Sequence, residues 1–115
     1  MTDQRFVYRL MSTEAWQQAK SDGRLPWAPV DDEDGFFHLS GKDQVCETAR
    51  LYYRDTEGLV ALEMAEDALG DRLKWEASRG GALFPHYYGH LDADQVGAVY
   101  EMTWKGEAFE FGARQ

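Results

Sequence analysis

The side chains with the most chemical potential fall in two short stretches. Gly35-Phe36-Phe37-His38-Leu39-Ser40 is an apolar run with a histidine inside it, and Phe84-Pro85-His86-Tyr87-Tyr88-Gly89 is an aromatic run with another. An imidazole changes charge near neutral pH and serves as donor, acceptor, general base or ligand contact. At a strand end it serves equally well as a structural side chain satisfied by its neighbours, and His38 is open to both uses. His86 and His90 stand four apart, the spacing of a zinc clamp on a helix. Pro85 and Gly89 break a helix there and no cysteine pair accompanies them, so no metal is expected. Between a proline and two tyrosines, His86 reads as a pocket wall or a packed turn.

Other candidates are more scattered. Glu76 follows Trp75; a carboxylate beside an indole can be polarised for acid–base work, grip ribose hydroxyls, or simply face water. Arg9 interrupts an apolar run and can pair with an acid, snorkel, or hold an anionic ligand. Ser40 with Asp43 has capping-box spacing, and Ser40 reads as a helix cap rather than a nucleophile. Tyr52, Tyr53, Tyr87 and Tyr88 can stack on a flat ligand ring or fill a core. The acidic run Asp31-Asp32-Glu33-Asp34 lacks calcium-loop spacing and reads as a solvated loop. There is no phosphate-cradling glycine motif of the P-loop or dinucleotide-binding kind.

These residues must be positioned by short elements. Phe6 to Met11 is predicted as a strand, followed by a helix capped by Ser12 or Thr13, with Ala15, Trp16 and Ala19 on its apolar stripe and Gly23 as its stop. Residues 24–34, with Pro26 and Pro29, form an irregular connection. A strand delivers His38 and hands the chain at Ser40 to a helix over about 42–54, where Val45, Ala49 and Tyr52 share a line close to Cys46 and Tyr53, which makes Cys46 a core thiol. Strands follow at 59–64, 73–76, 82–84, 96–104 and 107–111, with a helical turn at 65–70 and turns at Gly80-Gly81 and Lys105-Gly106. Two early helices and many late strands indicate an α+β fold with a split, mostly antiparallel sheet.

The totals set the limits. A chain of 115 residues with 43% hydrophobic content is expected to fold as a single domain, residues 1–115. One cysteine, Cys46, permits no internal disulfide and fits a reducing, cytoplasmic setting. Met1 to Gln4 lacks the basic and apolar pattern of a secretory signal, and no stretch approaches the roughly 20 apolar residues of a membrane span. The net charge of −9 disfavours nucleic acid as a partner and favours solubility.

Taken together, Tyr8-Arg9-Leu10, Trp16, Gly23, Gly35 to Ser40, Gln44, Leu59-Val60-Ala61-Leu62, Trp75-Glu76 and Phe84 to Gly89 resemble the bacterial family called domain of unknown function 952, over about residues 6–102. More distantly, the order of features is similar to the RNA 2′-phosphotransferases, which have the ADP-ribosyltransferase fold and use NAD. That family places a Tyr-His-Gly-Thr strand before a helix and a Val-His-Leu-Ser strand. The resemblance implies a two-sheet structure gripping NAD, or an ADP-ribose-like nucleotide, in a central cleft. It aligns His38 with the second family histidine, Ser40 with its serine, and Arg9 with the place of the first histidine; other ADP-ribosyltransferases carry arginine on that strand. Leu10 and Met11 replace the Gly-Thr of the nicotinamide-binding strand, and the basic RNA-handling domain has no counterpart, so RNA repair is not expected. By this resemblance Arg9, His38, Ser40, Tyr52, Tyr53, His86 and Tyr87 would bind a small-molecule nucleotide, with NAD as substrate. Glu76 would be the carboxylate for ADP-ribosyl transfer. The alternative is a non-catalytic ligand- or protein-binding domain that kept the fold and lost NAD chemistry.

Overall fold

The computed structural model describes residues 5–115, with the backbone alone at Arg79; the signal-peptide argument from Met1 to Gln4 lies outside the described residues. The chain begins with β1 (Phe6–Ser12), whose last residue also caps α1 (Thr13–Asp22). Ser12 Oγ accepts the Ala15 N–H at 3.0 Å, and Gly23 ends the helix at φ 81°, in the left-handed region that only glycine enters without a Cβ clash. Both ends therefore fall where the sequence puts them, and Trp16 and Ala19 turn inward as its stripe requires.

The next segment departs from expectation. Residues 29–34, read as part of an irregular connection, form a short helix, α2 (Pro29–Asp34), started by proline at its first turn and stopped by Gly35 at φ 84°. Two-residue strands β2 (Phe37–His38) and β3 (Ser40–Gly41) then replace the single strand expected over this stretch. The following helix, α3 (Val45–Tyr52), starts later than expected because Ser40 does not cap it. Ser40 Oγ donates to Thr48 Oγ1 at 3.2 Å, while Gln44 Oε1 accepts the Gly41 N–H at 2.8 Å and Gln44 Nε2 donates to Leu83 O at 2.7 Å. A Cβ on Gly41 would lie 3.1 Å from the Trp75 ring and 3.3 Å from Gln44 Oε1, so this crossing needs the missing side chain.

The rest of the chain supplies β4 (Leu59–Ala65), α4 (Glu66–Leu69), β5 (Leu73–Ala77), β6 (Leu83–Tyr87), β7 (Ala98–Trp104) and β8 (Phe109–Arg114). They build two antiparallel sheets, one in the order β3-β1-β4-β7-β8 and one in the order β2-β6-β5. The period-two pattern of β1 separates two cores. Val7 and Met11 join Trp16, Phe37 and Met64 on one face, and Tyr8 and Leu10 join Val45, Ala49 and Met102 under α3 on the other. Cys46 packs half-buried against the second core, where burial and then Glu110 push its thiol up, as suits an unreactive side chain.

Pro85 explains how one sheet passes the chain to the other. Phe37 faces Tyr87 and His38 faces His86 across β2 and β6, and Leu39 N–H donates to Pro85 O at 3.0 Å. A strand residue points its N–H and C=O to the same side, so the donor that proline lacks falls where β2 would continue. Pairing ends there, and one residue later the chain joins β1 through Tyr8↔Ser40. Among the described residues no helix is long and apolar enough to cross a membrane. Ser12→Ala, which removes the α1 cap, is expected to cost about 1 kcal/mol, read as a lowered urea midpoint with an unchanged denaturant slope.

Candidate functional site

Where the chain crosses between sheets, a cleft of about 570 Å³ opens. β1 contributes Tyr8, Arg9 and Leu10; the crossing contributes His38, Leu39 and Ser40; α3 and its end contribute Thr48, Tyr52 and Tyr53. Ala28, Val30 and Asp34 come from α2 and its approach, and Ser78, Phe84 and His86 from the second sheet. Six of the candidates named from sequence, Arg9, His38, Ser40, Tyr52, Tyr53 and His86, thus line one cleft. Tyr87 does not. It alternates with His86 along β6, pairs with Phe37, and lies buried in the first core. Its opposite orientation follows from the strand period, and core filling is the role it has here. His90 lies apart beside Trp27, with ring centroids 6.5 Å apart.

The centre of the wall is a residue the sequence concealed. Asp31, within the acidic run read as a solvated loop, is fully buried, while Asp32, Glu33 and Asp34 remain exposed. Its two oxygens face both terminal nitrogens of the Arg9 guanidinium, Oδ1 at 3.1 Å from Nη1 and Oδ2 paired with Nη2. Oδ1 also accepts the His38 backbone N–H at 3.0 Å and faces His38 Nδ1 at 2.7 Å, and Oδ2 accepts the Ala28 N–H at 2.7 Å. Arg9 Nη1 adds a bond to His38 O at 2.9 Å. Burial by itself raises the Asp31 carboxyl, but the hydrogen bonds and charge of Arg9, followed by the bonds from His38, outweigh it and hold the group below the usual carboxylate range. The signal available in sequence was Pro29 at a helix start with an acid two residues on, the pattern of an N3 carboxylate reaching back to the cap N–H.

His38 is held from both sides, since its Nε2 lies 2.9 Å from Asp34 Oδ2. Each ring nitrogen thus has a carboxylate oxygen within hydrogen-bonding distance. Arg9, though it lines the cleft, has its charge answered by Asp31, and its Nε has no partner among the described residues. Glu76 does not belong to the cleft lining. Its Oε1 faces His86 Nδ1 at 2.9 Å and accepts the Tyr88 hydroxyl at 2.6 Å. Phe36, which sequence reading did not single out, stacks on His86 with centroids 4.1 Å apart and touches His38 and Tyr88 as well.

Two antiparallel sheets with short helices, joined at a cleft lined by two histidines that each face a carboxylate, define an α+β fold. The chain matches, over residues 10–99, the family described as protein of unknown function (DUF952), and it belongs to that family. It is similar to the crystal structure of protein CC0527 from Caulobacter crescentus, with 39% identity over 96% of this chain and 93% of that one and a TM-score of 0.82. The solution NMR structure of CC0527 gives 39% identity over 90% of each chain and a TM-score of 0.79. No curated protein matches the chain.

Asp31→Ala leaves the Arg9 guanidinium buried and unpaired, and is expected to destabilise the protein by about 3–5 kcal/mol. The joint change Arg9→Met with Asp31→Leu, measured by urea unfolding, is expected to recover much of that loss. Asp31 also fixes an acid limb. Its folded pKa lies below the unfolded value of about 3.9, so between the two the unfolded chain binds more protons. The stability it contributes is complete above roughly pH 5 and falls as pH drops through that window. Asp31→Asn is expected to flatten the pH dependence of the melting temperature in this range.

Proposed function

We propose that this chain is a small-molecule-binding domain whose cleft takes NAD or an ADP-ribose-like nucleotide. The observation that carries this is the convergence of Arg9, His38, Ser40, Tyr52, Tyr53 and His86, from four separate segments, on one concavity. Its volume of about 570 Å³ suits a small ligand, since such sites span roughly 300–1,000 Å³. Tyr52, Tyr53 and Phe84 offer faces for a flat ring, and Ser40, Thr48 and Ser78 offer hydroxyls. The distant resemblance of the order of sequence features to the RNA 2′-phosphotransferases favours a nucleotide over other ligands of this size.

Binding without transfer is the better supported form. ADP-ribosyl transfer needs a carboxylate near the ribose carbon that becomes positive as nicotinamide leaves. Glu76 is engaged by His86 and Tyr88 instead, and the acid on the wall is Asp34, itself facing His38. Glu76 then acts as a positioning residue for His86.

A thermal-shift titration with NAD, ADP-ribose and nicotinamide tests the reading. A ligand at ~100 times its Kd adds roughly 2.7 kcal/mol, which for a domain of this size raises Tm on the order of 10 °C. No shift at millimolar concentrations of all three would remove the nucleotide. Tyr52 is 66% exposed, so Tyr52→Ala is expected to weaken NAD binding about tenfold, a loss near 1.4 kcal/mol, with little change in Tm.

A further inference from the structure

The cleft wall holds one buried polar atom whose hydrogen-bonding role is dictated by its neighbours. His86 is 4% exposed and lines the cleft. Its Nδ1 lies 2.9 Å from Glu76 Oε1, which also accepts the Tyr88 hydroxyl at 2.6 Å. The Tyr88 bond, followed by the His86 bond, holds the Glu76 carboxyl below the usual carboxylate range, so Glu76 is ionised near neutral pH. An ionised carboxylate only accepts, which puts a proton on Nδ1; a ring with that proton alone carries a lone pair at Nε2. Among the described residues nothing donates to that lone pair. Phe36 lies against the ring at an interplanar angle of 25°, fixing its plane and shielding one face. A buried acceptor of this kind costs stability until a donor reaches it.

The other charged groups at the wall are already matched. Asp31 answers Arg9, and Asp31 with Asp34 answers His38. Among the described residues that line the cleft, Arg9 and His38 already face carboxylates, and Lys74, the cross-strand partner of His86, does not belong to that lining. A phosphate or carboxylate in the cleft would meet the carboxylate of Asp34 in the same lining.

We propose that His86 Nε2 is an acceptor subsite for an uncharged ligand group that carries a hydrogen-bond donor, a hydroxyl or an amide N–H, with Glu76 and Tyr88 as its positioning residues. The inference rests on the reading of the cleft as a ligand site and narrows it. The ligand turns its hydroxyl- or amide-bearing part to this wall and keeps its anionic part away.

Nitrogen-15 histidine ring spectra of the full chain test the assignment before any ligand is added. At neutral pH His86 is expected to show a protonated Nδ1 and a bare Nε2. A protonated Nε2 overturns the subsite whatever the cleft binds. Nicotinamide and nicotinate then serve as a matched pair, an amide and a carboxylate on one ring. Nicotinamide is expected to move the Nε2 resonance and nicotinate to leave it in place. An equal response, a response to nicotinate alone, or silence from both at millimolar concentration overturns the subsite. His86→Phe keeps the aromatic volume and removes the lone pair, and is expected to weaken nicotinamide binding about tenfold, the worth of one hydrogen bond of near 1.4 kcal/mol. Unchanged affinity in a variant that melts normally also overturns it. Glu76→Gln, in which the side-chain amide can face Nδ1 by either end, is expected to give a mixture of His86 tautomers. A bare Nε2 that answers nicotinamide, beside a Tm that NAD and ADP-ribose leave unmoved, would sink the nucleotide reading and leave the subsite standing.

Discussion

The buried pair between Arg9 and Asp31 is the constraint around which the site is assembled. It joins the middle of β1 to α2, and through the His38 backbone and ring it joins both to β2. A charge removed from water is tolerated only when its partner and its remaining hydrogen-bond capacity are supplied. Asp31 meets that demand with Arg9, two backbone N–H groups and an imidazole, which fixes the segment from Ala28 to His38 against the first sheet. Arg9 also lies over Phe37, its guanidinium carbon 5.3 Å from the ring centroid, so the polar hub and the apolar core meet at one side chain.

The cleft is a consequence of how the chain leaves that hub. Pro85 stops the pairing of β2 with β6, Leu39 carries the chain across, and Gly41 lets it pass close to Trp75. A concavity results at the seam between sheets, where backbone cannot fill the space between diverging strands. The same geometry sets its electrostatics. Among the described residues that line the cleft, Arg9, His38 and His86 each have a carboxylate beside them, in keeping with a chain of net charge −9.

Local signals were legible where one residue decides the structure. Ser12 and Gly23 bound α1, β4 and β5 follow their apolar runs, and the turn at Gly80-Gly81 falls as read, whereas the connection after Lys105 is longer than a two-residue turn and β8 starts at Phe109 rather than at Glu107. The site was legible in part. His38 and His86 stood out as histidines within apolar runs, and they face each other across β2 and β6. Asp31 did not stand out, because four consecutive acids look alike along the chain and differ only in which one a helix turn directs inward. Tyr87 looked like its neighbour Tyr88, yet strand alternation sends Tyr87 into the core and lets Tyr88 reach Glu76. Ser40 carried a cap signal, but its place in a sheet edge gave its hydroxyl to Thr48.

The sequence alone determined the α+β class, the elements with strong caps or continuous apolar runs, and the residue types available for chemistry. These depend on short-range forces: φ preferences, capping hydrogen bonds and hydrophobic periodicity. Only the tertiary structure decided that Arg9 meets Asp31 across 22 residues, that His86 meets Glu76 across a strand pair, and that Tyr87 is core rather than site. Buried charge pairing and sheet register depend on which surfaces are brought together, and spacing along the chain carries no record of that distance.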